Sequence, residues 1–272
     1  MPCLGDRKIG LNYLRHKYHI LEPIIMMSTV VGLPMARRCC FIVLIRNDLA
    51  TPYHVTTIYN NIALIKKYPC SRSSIESFLA KIGEDFDSDR TAKKARISKK
   101  MTTPSAKQSC AYRKREGLPP LGTRVGSPAM HNPTKYGVAC LPLREVDVLD
   151  CALLTVKKMG PIPKDLVVDL AASLSRKPWR CDGKVTSFST NCKPWWNYRL
   201  LTPEDCMNMM GWPRDTVKFP ENMPDNQRMK LIGNMVATPV IGCLFMAIMR
   251  EINFYSEGNP VEASTRVIPT VD

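Results

Sequence analysis

Seven apolar residues in a row, Cys39 to Ile45 (CCFIVLI), restrict the fold of this chain more than any other feature. A strand with one solvated face alternates apolar and polar side chains, whereas one covered on both faces reads as an unbroken apolar run. The run predicts a doubly covered strand, and such a strand belongs to an α/β layer structure. A second stretch, Thr238 to Ile252 (TPVIGCLFMAIMREI), is apolar nearly all round and predicts a core helix. Weaker patterns predict a short helix over residues 8 to 17, extended chain from Tyr18 to Met27, and a short helix over Ser74 to Ile82. Val146 to Met159 and Asp165 to Leu174 read as further short elements.

The best-marked helix lies in RLLTPEDCMNMMGWP, Arg199 to Pro213. Thr202 is a good N-cap, Pro203 suits the first helical position, and Asp205 completes a Thr-x-x-Asp capping box. Cys206, Met209 and Met210 give one apolar face, and Gly211 followed by Pro213 ends the helix. Capping alone accounts for Thr202 and Asp205.

Of 272 residues, 39 are Lys or Arg and 24 Asp or Glu, a net charge of +15 that suits a polyanionic partner, nucleic acid being the commonest. The bias is concentrated: ten basic residues and no acidic one fall between Arg90 and Arg115. From Glu84 to about Asn132 large apolar residues are scarce, which predicts a flexible basic segment. It serves as a linker or nuclear-localisation feature, or as a phosphate-binding stretch through Lys93, Lys94, Arg96, Lys99, Lys100, Arg113, Lys114 and Arg115. Eleven cysteines without a CxxC pair, and four dispersed histidines, predict reduced thiols and no metal site. Pro239 and Gly242 interrupt the most apolar C-terminal stretch, so no membrane span is expected; Asp6, Arg7 and Lys8, with no apolar run before them, lack the layout of a signal peptide, and the nucleus or cytoplasm is the expected location.

Three blocks, taken together, resemble the eighth, ninth and tenth conserved blocks of the DNA cytosine-5 methyltransferases. Gly32, Pro34 and Arg37 stand in a Gly-x-Pro-Gln-x-Arg-x-Arg pattern leading into the apolar run. Arg199, Leu201, Thr202, Pro203, Asp205, Gly211 and Pro213 follow the ninth block, and Ile232, Gly233, Asn234 and Val236 the tenth. The resemblance implies an α/β, partial Rossmann-like S-adenosylmethionine-dependent methyltransferase fold lacking its N-terminal strands, with an inserted target-recognition region. It implies S-adenosyl-L-methionine as cofactor, with Gly233, Asn234 and Val236 on the cofactor side, and double-stranded DNA as partner. Arg37 would help hold the extruded cytosine, and Arg199, Thr202 and Asp205 would brace the recognition region. Domains are then expected at 1–50 (end of the catalytic domain), 51–190 (recognition region, with the flexible stretch at 84–132), 191–255 (ninth and tenth blocks) and 256–272 (tail).

The match is incomplete. Met35 replaces the family's glutamine and Cys39 its second arginine, with Arg38 one position away. The family's nucleophilic Pro-Cys, its Glu-Asn-Val motif and its cofactor glycine loop precede the eighth block, and Pro2-Cys3 lies too close to Tyr18 to serve as the first of these. A nucleophile is indispensable, because the pyrimidine carbon accepts a methyl group only after addition at the neighbouring position. With Met1 falling inside the domain, the expectation is a truncated or split enzyme completed by an N-terminal half. The alternatives are an inactive DNA-binding remnant of the family, and a basic intracellular protein of another class.

Overall fold

The computed structural model describes residues 14–79, 101–122, 128–213 and 216–252. Contacts divide the chain into two compact units, one of residues 1–24, 41–64 and 244–272, the other of residues 25–40 and 65–243.

In the first unit, β1 (Tyr18–Ile20) and β5 (Leu44–Arg46) form an antiparallel ribbon, Tyr18 opposite Arg46 and Ile20 opposite Leu44. His19 Nε2 lies 2.8 Å from the Ala50 carbonyl oxygen, which ties the loop after β5 to the ribbon. Helix α1 (Pro52–Lys67) follows, its first turn tied to Thr51, whose carbonyl accepts from Val55 N–H. Ile58 and Ile62, one turn apart, are its buried residues, and with Leu21 and Ile45 they belong to this unit's core. The Asn61 amide donates to Glu251 Oε1 at 3.0 Å.

In the second unit β2 (Ile24–Met27) pairs with β4 (Arg38–Phe41), and β3 (Met35–Ala36) runs parallel to β8 (Val185–Thr186). A four-stranded antiparallel sheet has the order β10–β9–β6–β7, formed by Arg199–Leu200, Pro194–Trp196, Val167–Asp169 and Trp179–Arg180. Its core helix, α4 (Leu143–Met159), buries Val146, Leu149, Ala152, Leu153 and Val156 among Leu166, Val168, Leu170 and Trp195. Helix α2 (Thr103–Arg115) and the short α3 (Pro128–His131) pack on α4. Helices α5 (Pro203–Met209) and α6 (Asp225–Asn234) complete this unit, and α7 (Thr238–Met249) has its first half in this unit and its second half, from Leu244, in the first.

Three sequence expectations are corrected. The run Cys39–Ile45 is two strands, β4 and β5, with different partners, and Ile42 and Leu44 are 43% and 37% exposed. Each strand has a single neighbour among the described residues, so burial alternates along it and only one face is covered. The flexible segment expected over 84–132 contains an ordered helix, α2, because Tyr112 packs edge-on against Trp179 and Arg113 pairs with Asp147. Third, α7 buries only the stripe Val240, Leu244 and Ala247; Phe245 and Met246 are 59% and 72% exposed. Taken as one stretch, Asp225–Met249 is long and apolar enough to cross a membrane. It is two helices, broken at Met235, whose ψ of 157° is extended, and neither reaches the ~20 residues a span needs.

Candidate functional site

The site grows from the loop ahead of β3. A 3-10 turn, Ser28–Val31, closes on Gly32 at φ +82°, a left-handed position that glycine adopts without strain. Ser28 is fully buried; its hydroxyl donates to the Met35 carbonyl and accepts from Arg37 N–H at 2.9 Å. The Arg37 guanidinium is thereby aimed at two main-chain carbonyls. Nη1 reaches Phe188 O at 3.3 Å, and Nη1 and Nη2 both reach Gly233 O at 3.1 Å. Gly233 is the penultimate residue of α6, where carbonyls lack helical partners and carry the negative end of the helix dipole, so a guanidinium is well matched there. Arg38 is exposed and Cys39 half-buried, on opposite faces of β4.

Gly233 is required by packing. A Cβ there would lie 2.6 Å from Ser189 C and Thr190 N, so the backbones of 189–190 and of α6 touch. Asn234 is exposed and Val236 half-exposed at the junction between α6 and α7. Of the three residues read as cofactor-side, Asn234 and Val236 are accessible to a ligand, while the space next to Gly233 is filled by protein.

Arg199, Thr202 and Asp205 come together. Asp205 N–H donates to Thr202 Oγ1 at 3.0 Å and Thr202 N–H to Asp205 Oδ2 at 2.9 Å, a complete capping box, and Arg199 Nη2 adds a second bond to Oδ2, at 3.0 Å. Asp205 is fully buried. Further anchors hold α5: Asn208 donates to Phe78 O at 3.0 Å, Arg228 pairs with Glu204 at 2.9 Å, and Thr238 N–H donates to Met210 O. Beside α5 and α6 lies a cleft of about 630 Å3, with Arg144, Glu145, Lys193, Leu201 and Met229 in its walls. Lys193 donates to Glu145 Oε1 at 2.6 Å.

Of the basic residues, Lys93, Lys94, Arg96, Lys99 and Lys100 lie outside the described residues. Lys114 and Arg115 are exposed on α2, but Arg113 is 1% exposed and locked onto Asp147, so its charge is spent inside the protein rather than offered to phosphate. Sequence reasoning passed over Pro69-Cys70, a second Pro-Cys dipeptide. Cys70 N–H donates to Val30 O at 2.9 Å, and its exposed thiol sits beside the Gly32 turn, where a glycine Cβ would be 3.4 Å from Cys70 Cβ. The dipeptide itself was the signal.

Next to Arg113, Asp150 is fully buried and accepts from Ala129 N–H at 2.8 Å, holding α3 on α4. Desolvation pushes its carboxyl up to about 6, against the pull of Ala129 N–H and Arg113. A carboxyl whose pKa rises on folding favours the folded state when protonated, so this contribution is present below about 4 and lost as pH rises through 6. Asp150→Asn is expected to flatten the pH dependence of the denaturant midpoint between pH 4 and 7, relative to the parent. The expected gain at pH 7 is about 1–3 kcal/mol, from 1.4 kcal/mol per pKa unit. Parallel profiles for parent and variant would refute the assignment.

The geometry defines the class first: a mixed α/β protein in which a turn and a helix terminus from distant parts of the chain are joined by an arginine bracket, and a neighbouring helix is fixed at its start by a local capping box. The chain belongs to the C-5 cytosine-specific DNA methylase family, whose sequence profile matches residues 9–250. No curated protein matches the sequence. A solved methyltransferase structure from Entamoeba histolytica, EhMeth, is similar with a TM-score of 0.40 at 14% identity, over 91% of this chain and 57% of that one. The chain therefore spans a little over half the length of that protein.

Proposed function

We propose that the chain supplies blocks eight to ten of an S-adenosylmethionine-dependent DNA (cytosine-5) methyltransferase, in a partial Rossmann-like catalytic domain with an inserted recognition region. The observation carrying this reading is Arg37 of the eighth block donating to the carbonyl of Gly233 of the tenth, 196 residues later in sequence. Asn234 and Val236, accessible at the α6–α7 junction, line one wall of the cofactor site, and Gly233 shapes that wall by close packing. The cofactor supplies an electrophilic methyl group; the protein orients it and excludes water. Double-stranded DNA is the partner, with the target base turned out of the stack to expose its carbon. Exposed Lys114 and Arg115 belong to the basic surface that meets the phosphates; Lys93, Lys94, Arg96, Lys99 and Lys100, outside the described residues, are assigned to phosphate binding by their charge in sequence alone.

On this reading the Pro-Cys nucleophile, the Glu-Asn-Val motif and the glycine loop are supplied from outside residues 1–272. A second reading, an inactive DNA-binding remnant, is favoured by Met35 and Cys39, which replace a glutamine and an arginine of the family pattern. Mixing the chain with an N-terminal half bearing the three missing motifs, and following transfer of labelled methyl to duplex DNA, separates the two. Transfer only in the mixture supports the enzyme reading, and DNA binding without transfer the remnant. Transfer by the chain alone that is abolished by Cys70→Ser would overturn both, since the nucleophile would then be its own.

A further inference from the structure

The β9–β10 hairpin breaks the chemistry of its own turn. Trp196 is opposite Arg199, so Asn197 and Tyr198 form a two-residue loop, both at positive φ (44° and 65°). Such a loop suits Asn-Gly; asparagine tolerates the left-handed region, but a bulky tyrosine is strained there. The neighbouring chain is adapted to this geometry: at Gly137, itself at φ +64°, a Cβ would fall 2.8 Å from the Tyr198 carbonyl oxygen. Strain of this kind clusters at functional positions.

The tyrosine ring explains only part of that strain by packing. Its centroid is 5.5 Å from Tyr136 and 6.1 Å, edge-on, from Trp195, yet the residue remains 48% exposed. Two clefts meet at this cluster. One, of about 560 Å3, is lined by Tyr136, His131 and Lys157; the other, of about 70 Å3, by Trp195, Asn197, Tyr198 and Lys164. They share Leu153 and Ile162, and Lys157 and Lys164 are both exposed. A half-exposed aromatic side chain beside apolar clefts with cationic rims matches the chemistry that holds unpaired bases, in which a ring stacks on the base and ammonium groups neutralise the flanking phosphates.

We propose that Tyr198 is a stacking platform for an unpaired nucleobase of single-stranded nucleic acid, with Lys157 and Lys164 receiving the adjacent phosphates. This rests on the nucleic-acid reading of the chain and adds a site distinct from the Arg37–Gly233 bracket.

The test uses the full chain with fluorescein-labelled twelve-nucleotide oligothymidylate, oligouridylate, and a blunt duplex of equal length. Tyr198→Gly creates the preferred Asn-Gly turn and removes the ring without threatening the fold. The expected result is an unchanged or higher thermal midpoint with single-strand affinity lowered about 5- to 150-fold, the range known for one base–aromatic stack. Duplex affinity should change less than twofold, and Tyr198→Phe should bind as the parent does. The two single strands distinguish DNA from RNA as the source of the base. Lys157→Gln with Lys164→Gln should flatten the salt dependence of single-strand binding, whereas Tyr198→Gly should leave its slope unchanged. Equal single-strand affinity of parent and Tyr198→Gly would overturn the stacking site while leaving the nucleic-acid reading intact, as would a parent that binds only duplex. A parent that binds neither strand nor duplex would overturn both.

Discussion

Replacing Asp147 by alanine is expected to destabilise the protein by about 3–5 kcal/mol, because it strands a buried guanidinium. Arg113 and Asp147 are each 1% exposed, and Asp147 Oδ1 accepts from Arg113 Nε at 3.1 Å and from Nη2. Desolvation pulls the guanidinium pKa down, but the Asp147 charge and hydrogen bonds outweigh it, so Arg113 is held firmly protonated. Its remaining nitrogen Nη1 donates to Pro119 O at 2.9 Å, which a truncated neighbour cannot replace. Removing both charges with Arg113→Met and Asp147→Leu should recover most of the loss, since a well-packed apolar pair of similar volume is often no worse than a buried ion pair. Equilibrium denaturation of the three proteins provides the check. A single Asp147→Ala variant within 1 kcal/mol of the parent would show that Arg113 is not buried against this carboxylate.

Gly233→Ala is the second large effect. Alanine is ordinarily favourable inside a helix by about 1 kcal/mol relative to glycine, so helix propensity alone predicts a gain. Packing reverses the sign, because the added carbon would lie 2.6–2.7 Å from three atoms of the Ser189–Thr190 backbone, none of which can rotate away. Overpacking of this kind costs about 1–3 kcal/mol and more where the obstacle is rigid, so a net loss of at least about 2 kcal/mol is expected from the shift of the denaturation midpoint. The variant also moves the carbonyl that Arg37 grips. A neutral or stabilised Gly233→Ala protein would mean that α6 and residues 189–190 are not in contact.

What could be read from the sequence followed the range of the interactions. The capped helix α5 was legible in full, because Thr202, Pro203 and Asp205 supply the start signals within four residues and Gly211 the stop. The ordering of α2 was not, since the residue that neutralises Arg113 is 34 positions away in a segment with an unrelated pattern. The apolar run Cys39–Ile45 misled for a different reason: hydrophobic content reports what a strand can bury, not how many neighbours cover it. Arg37 could be singled out by its block, but its partners could not, because the carbonyls of Phe188 and Gly233 have no side-chain signature. Tyr198 gave no signal at all, as an Asn-Tyr pair does not announce a two-residue hairpin.

The central claim is that the eighth and tenth blocks are fastened together by the Arg37 guanidinium on the Gly233 carbonyl, and amide hydrogen exchange in Arg37→Met tests it most directly. The substitution keeps an unbranched side chain and removes every donor, leaving the Gly233 and Phe188 carbonyls without their charged partner; losing such bonds costs about 1.5–3 kcal/mol. Exchange in the peptide covering 230–236 should accelerate roughly tenfold to a hundredfold, while the core of α4, 146–153, keeps the parent's rates. Identical uptake at 230–236 in parent and variant would contradict the account, because the two blocks would then not be held by this contact.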